Sequence, residues 1–235
     1  MNNSHLVDKI FICHHTPLVH RKQRIESSLE SYNIPIEWVE GYLPEQISQN
    51  YDELIGTSVL DISGTPEQNQ HPWENERVGK KISLSELSLY LKHQYCFSEQ
   101  VSKEYNNILI LEDDAVIPEN FEEYLQKCID EFTNFEIKLD CLMIGTCCGF
   151  KCKNIVDDKL VYYDPSYVTR CTHAMMFPLE TSRKIVNSNS LWPINWPIDF
   201  KLNQIIYQQS LKVGHVEPPI YQGNDLGIDI SYIQH

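Results

Sequence analysis

Apolar residues in this chain fall into short runs, separated by stretches with helical spacing. Lys9–Cys13 (KIFIC) is a short β-rich run and reads as a strand. From about Leu18 to Tyr32 the spacing turns helical: Pro17 stands just before it, and Ile25 and Leu29 share a face. Ile36–Val39 reads as a second strand, so the opening segment predicts a parallel β-α-β crossover. Leu84, Leu87, Leu91 and Tyr95 mark a long helix over Leu84–Tyr105. Ile108–Leu111 is a continuous apolar run, as expected for a strand covered on both faces. Beyond it the pattern predicts a helix over Phe121–Glu131 and strands at Cys141–Ile144, Val161–Tyr163 and His173–Phe177. Helices follow at Leu179–Asn187 and Asp199–Ser210, then a short strand at Val213–Val216 before Pro218 and Pro219. Between the second strand and Leu84 the order is lost. Ser63–Glu76 is polar, holds two prolines and has no period, so residues 63–80 are expected to form a long surface loop, either a lid or binding segment or a plain excursion.

No internal repeat or linker-like stretch is present, and the alternation of β and α predicts a single α/β sandwich. The length of 235 residues allows one large domain or two small ones at roughly 150 residues per domain. One domain over 1–235 is the expectation, and two halves divided at the 63–80 loop the alternative. At 42% hydrophobic and 22% charged, the composition argues against disorder and fibrous repeats. No apolar run approaches the ~18 residues of a transmembrane helix. The N-terminus lacks a basic region followed by a long apolar core, so a cytoplasmic protein is expected (host cytoplasm if the source is viral).

Charge narrows the partners. Nineteen Lys and Arg face 33 Asp and Glu, a formal net charge of −14. No nucleic-acid partner is expected, because duplex binding needs a basic footprint, and docking on an anionic membrane is disfavoured for the same reason. An acidic protein handling an anionic substrate needs a cation between them. The eight cysteines include Cys141, Cys147, Cys148 and Cys152, but there is no CxxC and the spacing fits no zinc knuckle or ribbon. They are expected to be reduced and to act as small hydrophobes.

The strongest chemical feature is LILEDDA. In open α/β sheets, ligands bind beyond the carboxyl ends of the strands, where this strand ends in Glu112, Asp113 and Asp114. Adjacent bare carboxylates repel unless they are solvated or share a cation, and oxygen ligands suit Mg2+ or Mn2+. Such an ion bridges an acidic protein to a diphosphate. The plainer alternative is an acidic first turn of the next helix.

Five blocks in order then resemble the family 25 glycosyltransferases, which include lipooligosaccharide and collagen galactosyltransferases. RKQRIESSLESYNIPIEWVEGY is similar to the family's Arg-rich helix and following strand. SELSLYLKH, at Ser85–His93, resembles its GE-[IV]-GC-x-LSH segment: Glu86, Leu91 and His93 match, Ser85 and Ser88 stand at glycine positions, and Lys92 replaces serine. ILILEDDA matches almost letter for letter, WPIDFKL looks like PVDxxL, and EPPIYQG is similar to the closing P-P-x-x-x-Q.

The resemblance implies a GT-A type nucleotide-diphospho-sugar transferase fold with a mostly parallel central sheet flanked by helices. It also implies a UDP-sugar donor, a glycan or protein acceptor, Mn2+ or Mg2+, and transfer of a hexose with inversion. On that reading Asp113 and Asp114 are candidate metal ligands, with Glu112 or Asp113 free to bind the ribose hydroxyls, and His215 a further candidate ligand. Asp199 is the candidate general base, or else a helix cap. His93 orients the acidic loop or touches the donor, or is simply a buried histidine. His14 lies where such folds meet the nucleotide base, although the family usually shows Asn-Leu there. Arg21 and Arg24 stand at basic positions that face the phosphates or solvent, and Gln222 is a candidate donor contact.

Other enzyme classes lack their signatures. ENERVGKK lacks the first glycine and the Ser or Thr of a P-loop, CHHTPL replaces GxGxxG after the first strand, and no GxSxG elbow occurs. An inactive relative retaining the fold as a scaffold is the remaining alternative to an enzyme.

Overall fold

The structure, a computed structural model, describes residues 7–56, 60–61, 80–147, 151–152, 155–165, 171–188 and 191–229. The loop expected at 63–80 lies outside these, apart from Lys80, as does Cys148.

The elements run β1 (Lys9–Cys13), α1 (Val19–Leu29), β2 (Ile36–Val39), α2 (Pro44–Gln49), α3 (Tyr51–Gly56), α4 (Leu84–Lys103), β3 (Asn107–Glu112) and β4 (Ala115–Val116). They continue with α5 (Phe121–Thr133), β5 (Cys141–Gly145), β6 (Val161–Tyr163), β7 (Ala174–Pro178), α6 (Leu179–Asn187), α7 (Ile198–Gln208) and β8 (Val213–Gln222).

The predicted crossover is present: β1 and β2 are parallel, and α1 connects them. The sheet order is β2-β1-β3-β7-β5-β8-β4, with β6 pairing β8. The sheet is mixed, with β1, β2, β3, β5 and β8 running one way and β4, β6 and β7 the other. β1·β2, β1·β3 and β5·β8 are parallel, whereas β3·β7, β5·β7, β4·β8 and β6·β8 are antiparallel. β7 runs against both its neighbours and makes the centre mixed.

Alternation along the central strands builds two cores. Phe11, Ile108, Ile110, Met143, Met175 and Phe177 face one side of the sheet, under α4, α6 and α7. Ile10, Ile12, Leu109, Leu111, Leu142 and Met176 face the other, under α1 and α5. Side chains two apart share a face, so a fully apolar run such as ILIL is buried from both sides. Phe97 of α4 meets Phe177 edge to face at 4.9 Å in the first core. The N-terminus of α4 is fixed by a capping box: the Glu86 amide donates to Ser83 Oγ (3.2 Å) and the Ser83 amide to Glu86 Oε2 (2.7 Å).

One strand and one cysteine pair depart from the pattern. β8 does not stop at Val216 but continues to Gln222 through both prolines. Its pairing with β5 shifts between Met143 and Gly145, from His215 to Ile220, so the prolines fall in the irregularity where no ladder amide is required. Cys147 and Cys171 form a disulfide with Cα atoms 5.9 Å apart, which corrects the expectation of eight reduced cysteines. Its cause is register. Leu142 faces Met176 and Met143 faces Met175 across the antiparallel β5·β7 pair, and the same pairing carried past the strand ends sets Cys147 opposite Cys171. Cys13, Cys96, Cys128, Cys141 and Cys152 are free and buried.

Candidate active site

β1 and β3 are parallel neighbours with Cys13 beside Glu112. After β1 the chain crosses to β2 on one side; after β3 it continues toward β5 on the other. Loops that part in this way open a crevice at the carboxyl ends of the two strands. A cavity of about 340 Å3 lies there, lined by His14, His15, Arg21, Lys92 and all three residues of the acidic motif.

The three carboxylates have separate circumstances. Glu112 Oε1 accepts from Thr172 Oγ1 (2.6 Å) and lies 3.2 Å from His93 Nε2. Burial disfavours its charge, but His93 and Thr172 outweigh burial and hold the carboxyl below its ordinary range. Both oxygens of Asp113 are engaged. Oδ2 accepts from the His15 amide (2.8 Å) and lies 2.9 Å from His14 Nδ1, while Oδ1 accepts from Arg21 (2.7 Å). Burial again opposes the charge, and His14, the His15 amide and Arg21 prevail, so Asp113 is held low.

Asp114 differs. Its Oδ1 is buried without a hydrogen-bond partner. Burial, together with the charges of Glu112 and Asp113, pushes its carboxyl up to about 8. A buried acceptor left unpaired is costly.

The other sequence candidates divide. Arg21 is buried and committed to Asp113 and, at 3.6 Å, to Asp229. Arg24 donates to the Asp113 carbonyl (3.3 Å) and pairs with Asp229 at 2.7 Å. Both arginines therefore brace the acidic loop. His14 is buried edge-on to Trp38, with ring centroids 5.3 Å apart. His93, fully buried, sits beneath Glu112; burial disfavours its imidazolium, but the Cys13 sulfur and Glu112 shift it upward, with help from Asp199. Gln222 is brought to the motif as the cross-strand partner of Ala115. Asp199 is half-buried in the first turn of α7, where its Oδ1 accepts from the Phe200 amide (2.9 Å). Pro197, not Asp199, occupies the cap position.

His215 is not brought to the motif. It is fully buried in mid-strand, level with Met143, on β8, three strands from β3 in the order β3-β7-β5-β8. At ~4.8 Å per strand this is roughly 14 Å away, beyond the reach of a shared ion. Among the described residues, no three His, Cys, Asp or Glu side chains converge as a ready-made metal cage.

Three further residues belong here. The side chain of Asp229 is buried and reaches Arg21, Arg24 and, at 3.4 Å, His20. Thr172 holds Glu112. Lys92 is buried in the cavity wall. Only the departure of Lys92 from the resembling segment was visible beforehand. A second cavity of about 620 Å3 is lined by Trp38, Tyr42 and Tyr95 among others, and the acidic motif does not reach it.

A crevice with a carboxylate floor thus opens at the parting of two parallel strands, the place where open α/β sheets bind ligands. The family model described as Glycosyltransferase family 25 (LPS biosynthesis protein) matches residues 8–173, and the chain belongs to that family. Membership makes it a glycosyltransferase, with donor and acceptor substrates. The match includes α1, α4 and the acidic motif, whereas Asp199, His215, Gln222 and Asp229 lie beyond it. No curated protein matches the chain. No helix among the described residues is long and apolar enough to cross a membrane.

Proposed function

We propose that this protein is a metal-dependent, inverting hexosyltransferase of the GT-A type. It moves galactose or glucose from a UDP-sugar to a hydroxyl of a glycan or protein acceptor. The observation that carries the reading is the buried, unpartnered Oδ1 of Asp114 at the carboxyl end of β3. The donor set fits a hard divalent ion such as Mn2+ or Mg2+: Asp114 supplies an oxygen, and Glu112 keeps Oε2 beyond the His93 and Thr172 contacts on Oε1. Mg2+-type sites take one or two carboxylates and are completed by substrate phosphates, so a preformed cage is not required. A bound cation would supply Lewis-acid stabilisation of charge on the departing diphosphate.

The protein's own residues do the remaining work. His93 and Thr172 fix Glu112, while His14, the His15 amide and Arg21 fix Asp113, so the loop presents Asp114 in one position. Asp199, close enough to His93 for its charge to act there, takes the proton of the acceptor hydroxyl. The acceptor oxygen bonds to the anomeric carbon as the bond to the UDP oxygen breaks, and UDP leaves with that electron pair. Single displacement inverts the centre.

A screen of nucleotide sugars, read as released UDP or GDP with Mn2+ and with EDTA, tests the reading. UDP-galactose or UDP-glucose turnover that stops in EDTA is expected. Failure of every donor to turn over or to shift the melting temperature would leave a scaffold domain.

A further inference from the structure

Lys92 is a buried lysine to which no carboxylate of the acidic loop makes a hydrogen bond. It lies on α4 with 3% of its surface exposed and lines the same cavity as Asp113 and Asp114. Its Nζ donates to Ser88 Oγ, one turn back on the helix, at 3.3 Å. Among the described residues it makes no ion pair within hydrogen-bonding reach. An ammonium has three donors, and burying one with a single neutral partner is costly. Arg21, the other cation lining the cavity, is already committed to Asp113 and Asp229. Lys92 stands at the serine position and Ser88 at a glycine position of the resembling family segment, so the cation and its hydroxyl partner both depart from it.

We propose that Lys92 is an anion-recognition residue of the donor cavity, anchored by Ser88, whose ammonium binds the diphosphate of the nucleotide sugar. This assignment rests on the proposed donor class. An arriving anion would fill the empty donor positions of the ammonium and compensate its desolvation. It would also divide the neutralisation of the diphosphate between the cation at Asp114 and a cation supplied by the chain. Burial holds the lysine's titration below its ordinary range against the upward pull of Cys13, Asp113 and Glu112; a bound phosphate would add to that upward pull.

The test is calorimetric titration of the full chain and of Lys92→Met, Lys92→Arg and Ser88→Ala with inorganic pyrophosphate, UDP and uridine, in EDTA and in Mn2+. Lys92→Met should weaken pyrophosphate and UDP roughly 10- to 100-fold in EDTA and leave uridine unchanged, as expected for the loss of one charge-assisted contact. Lys92→Arg should retain most of the affinity and Ser88→Ala part of it. Equal affinity of wild type and Lys92→Met for pyrophosphate and UDP would overturn the assignment, as would a matching loss for uridine, which would mark a purely structural lysine. The two readings fail separately. Lys92-dependent pyrophosphate binding without any nucleotide binding sinks the UDP-sugar donor and keeps the anion site, whereas Mn2+-dependent UDP binding indifferent to Lys92 does the reverse. Should Lys92→Met not fold, Ser88→Ala and Lys92→Arg carry the same comparison.

Discussion

Asp113 and Asp114 are neighbours in the chain with opposite surroundings: both oxygens of Asp113 are engaged by His14, the His15 amide and Arg21, whereas the buried Oδ1 of Asp114 has no hydrogen-bond partner. One carboxylate therefore holds the loop, and the other leaves a buried oxygen unpaired. Their substitutions should act in opposite directions on stability.

Asp113→Asn removes the charge that compensates buried Arg21. The side chains are 8% and 5% exposed, and breaking a buried pair on one side costs about 3–5 kcal/mol. Chemical denaturation should show a loss of that order, and nucleotide binding should fall with it because the loop loses its brace. A variant as stable as wild type would remove Asp113 from this role.

Asp114→Asn should stabilise the metal-free protein and abolish Mn2+-dependent UDP binding. The sign follows from proton counts. The unfolded chain releases the Asp114 proton near the ordinary 3.8, and the folded metal-free protein near 8. Between those values the folded state holds more protons, so the contribution is full below the lower value, declines as pH rises and is gone above the upper one. Melting curves in EDTA from acid to mildly alkaline pH should show wild type falling relative to Asp114→Asn across that window. Parallel curves would contradict the shift.

Asp199→Asn keeps the shape of the side chain and removes the base. UDP binding with Mn2+ should stay near wild type while transfer falls roughly 100-fold or more. Unchanged turnover would return Asp199 to a local contact with the Phe200 amide.

Gly145→Ala should disturb the site from a distance. A Cβ at this position would lie 2.3 Å from His173 Nε2, which donates to the Ile220 carbonyl at 2.8 Å. His173 precedes β7 and follows Thr172, which holds Glu112. Overpacking costs about 1–3 kcal/mol, and the melting temperature should fall accordingly. Gly145→Ala melting like wild type would show that His173 moves freely.

Legibility followed length and repetition. ILIL declared a doubly covered strand, and the Leu84–Tyr95 stripe declared α4, because each pattern outlasts a single turn or pair. The short helices α2 and α3 and the two-residue β4 carry too few periods to be read. β8 ran past its expected end because its prolines sit in a register shift that only the partner strand reveals. At the site, the acidic motif and the residues meeting it from His14 and His93 were readable as types. That Arg21 would brace Asp113 instead of facing phosphate was not, nor was Asp229, which arrives after β8.

By itself the sequence determined the α/β alternation, the acidic end of β3 and the family, because these depend on local pattern and on residues in order along the chain. The tertiary structure decided which carboxylate lacks a partner, that His215 lies strands away from it, that Cys147 meets Cys171, and that Lys92 shares a cavity wall with Asp114. Each of these is a matter of strand order, register or desolvation, and such quantities exist only once distant segments have been packed together.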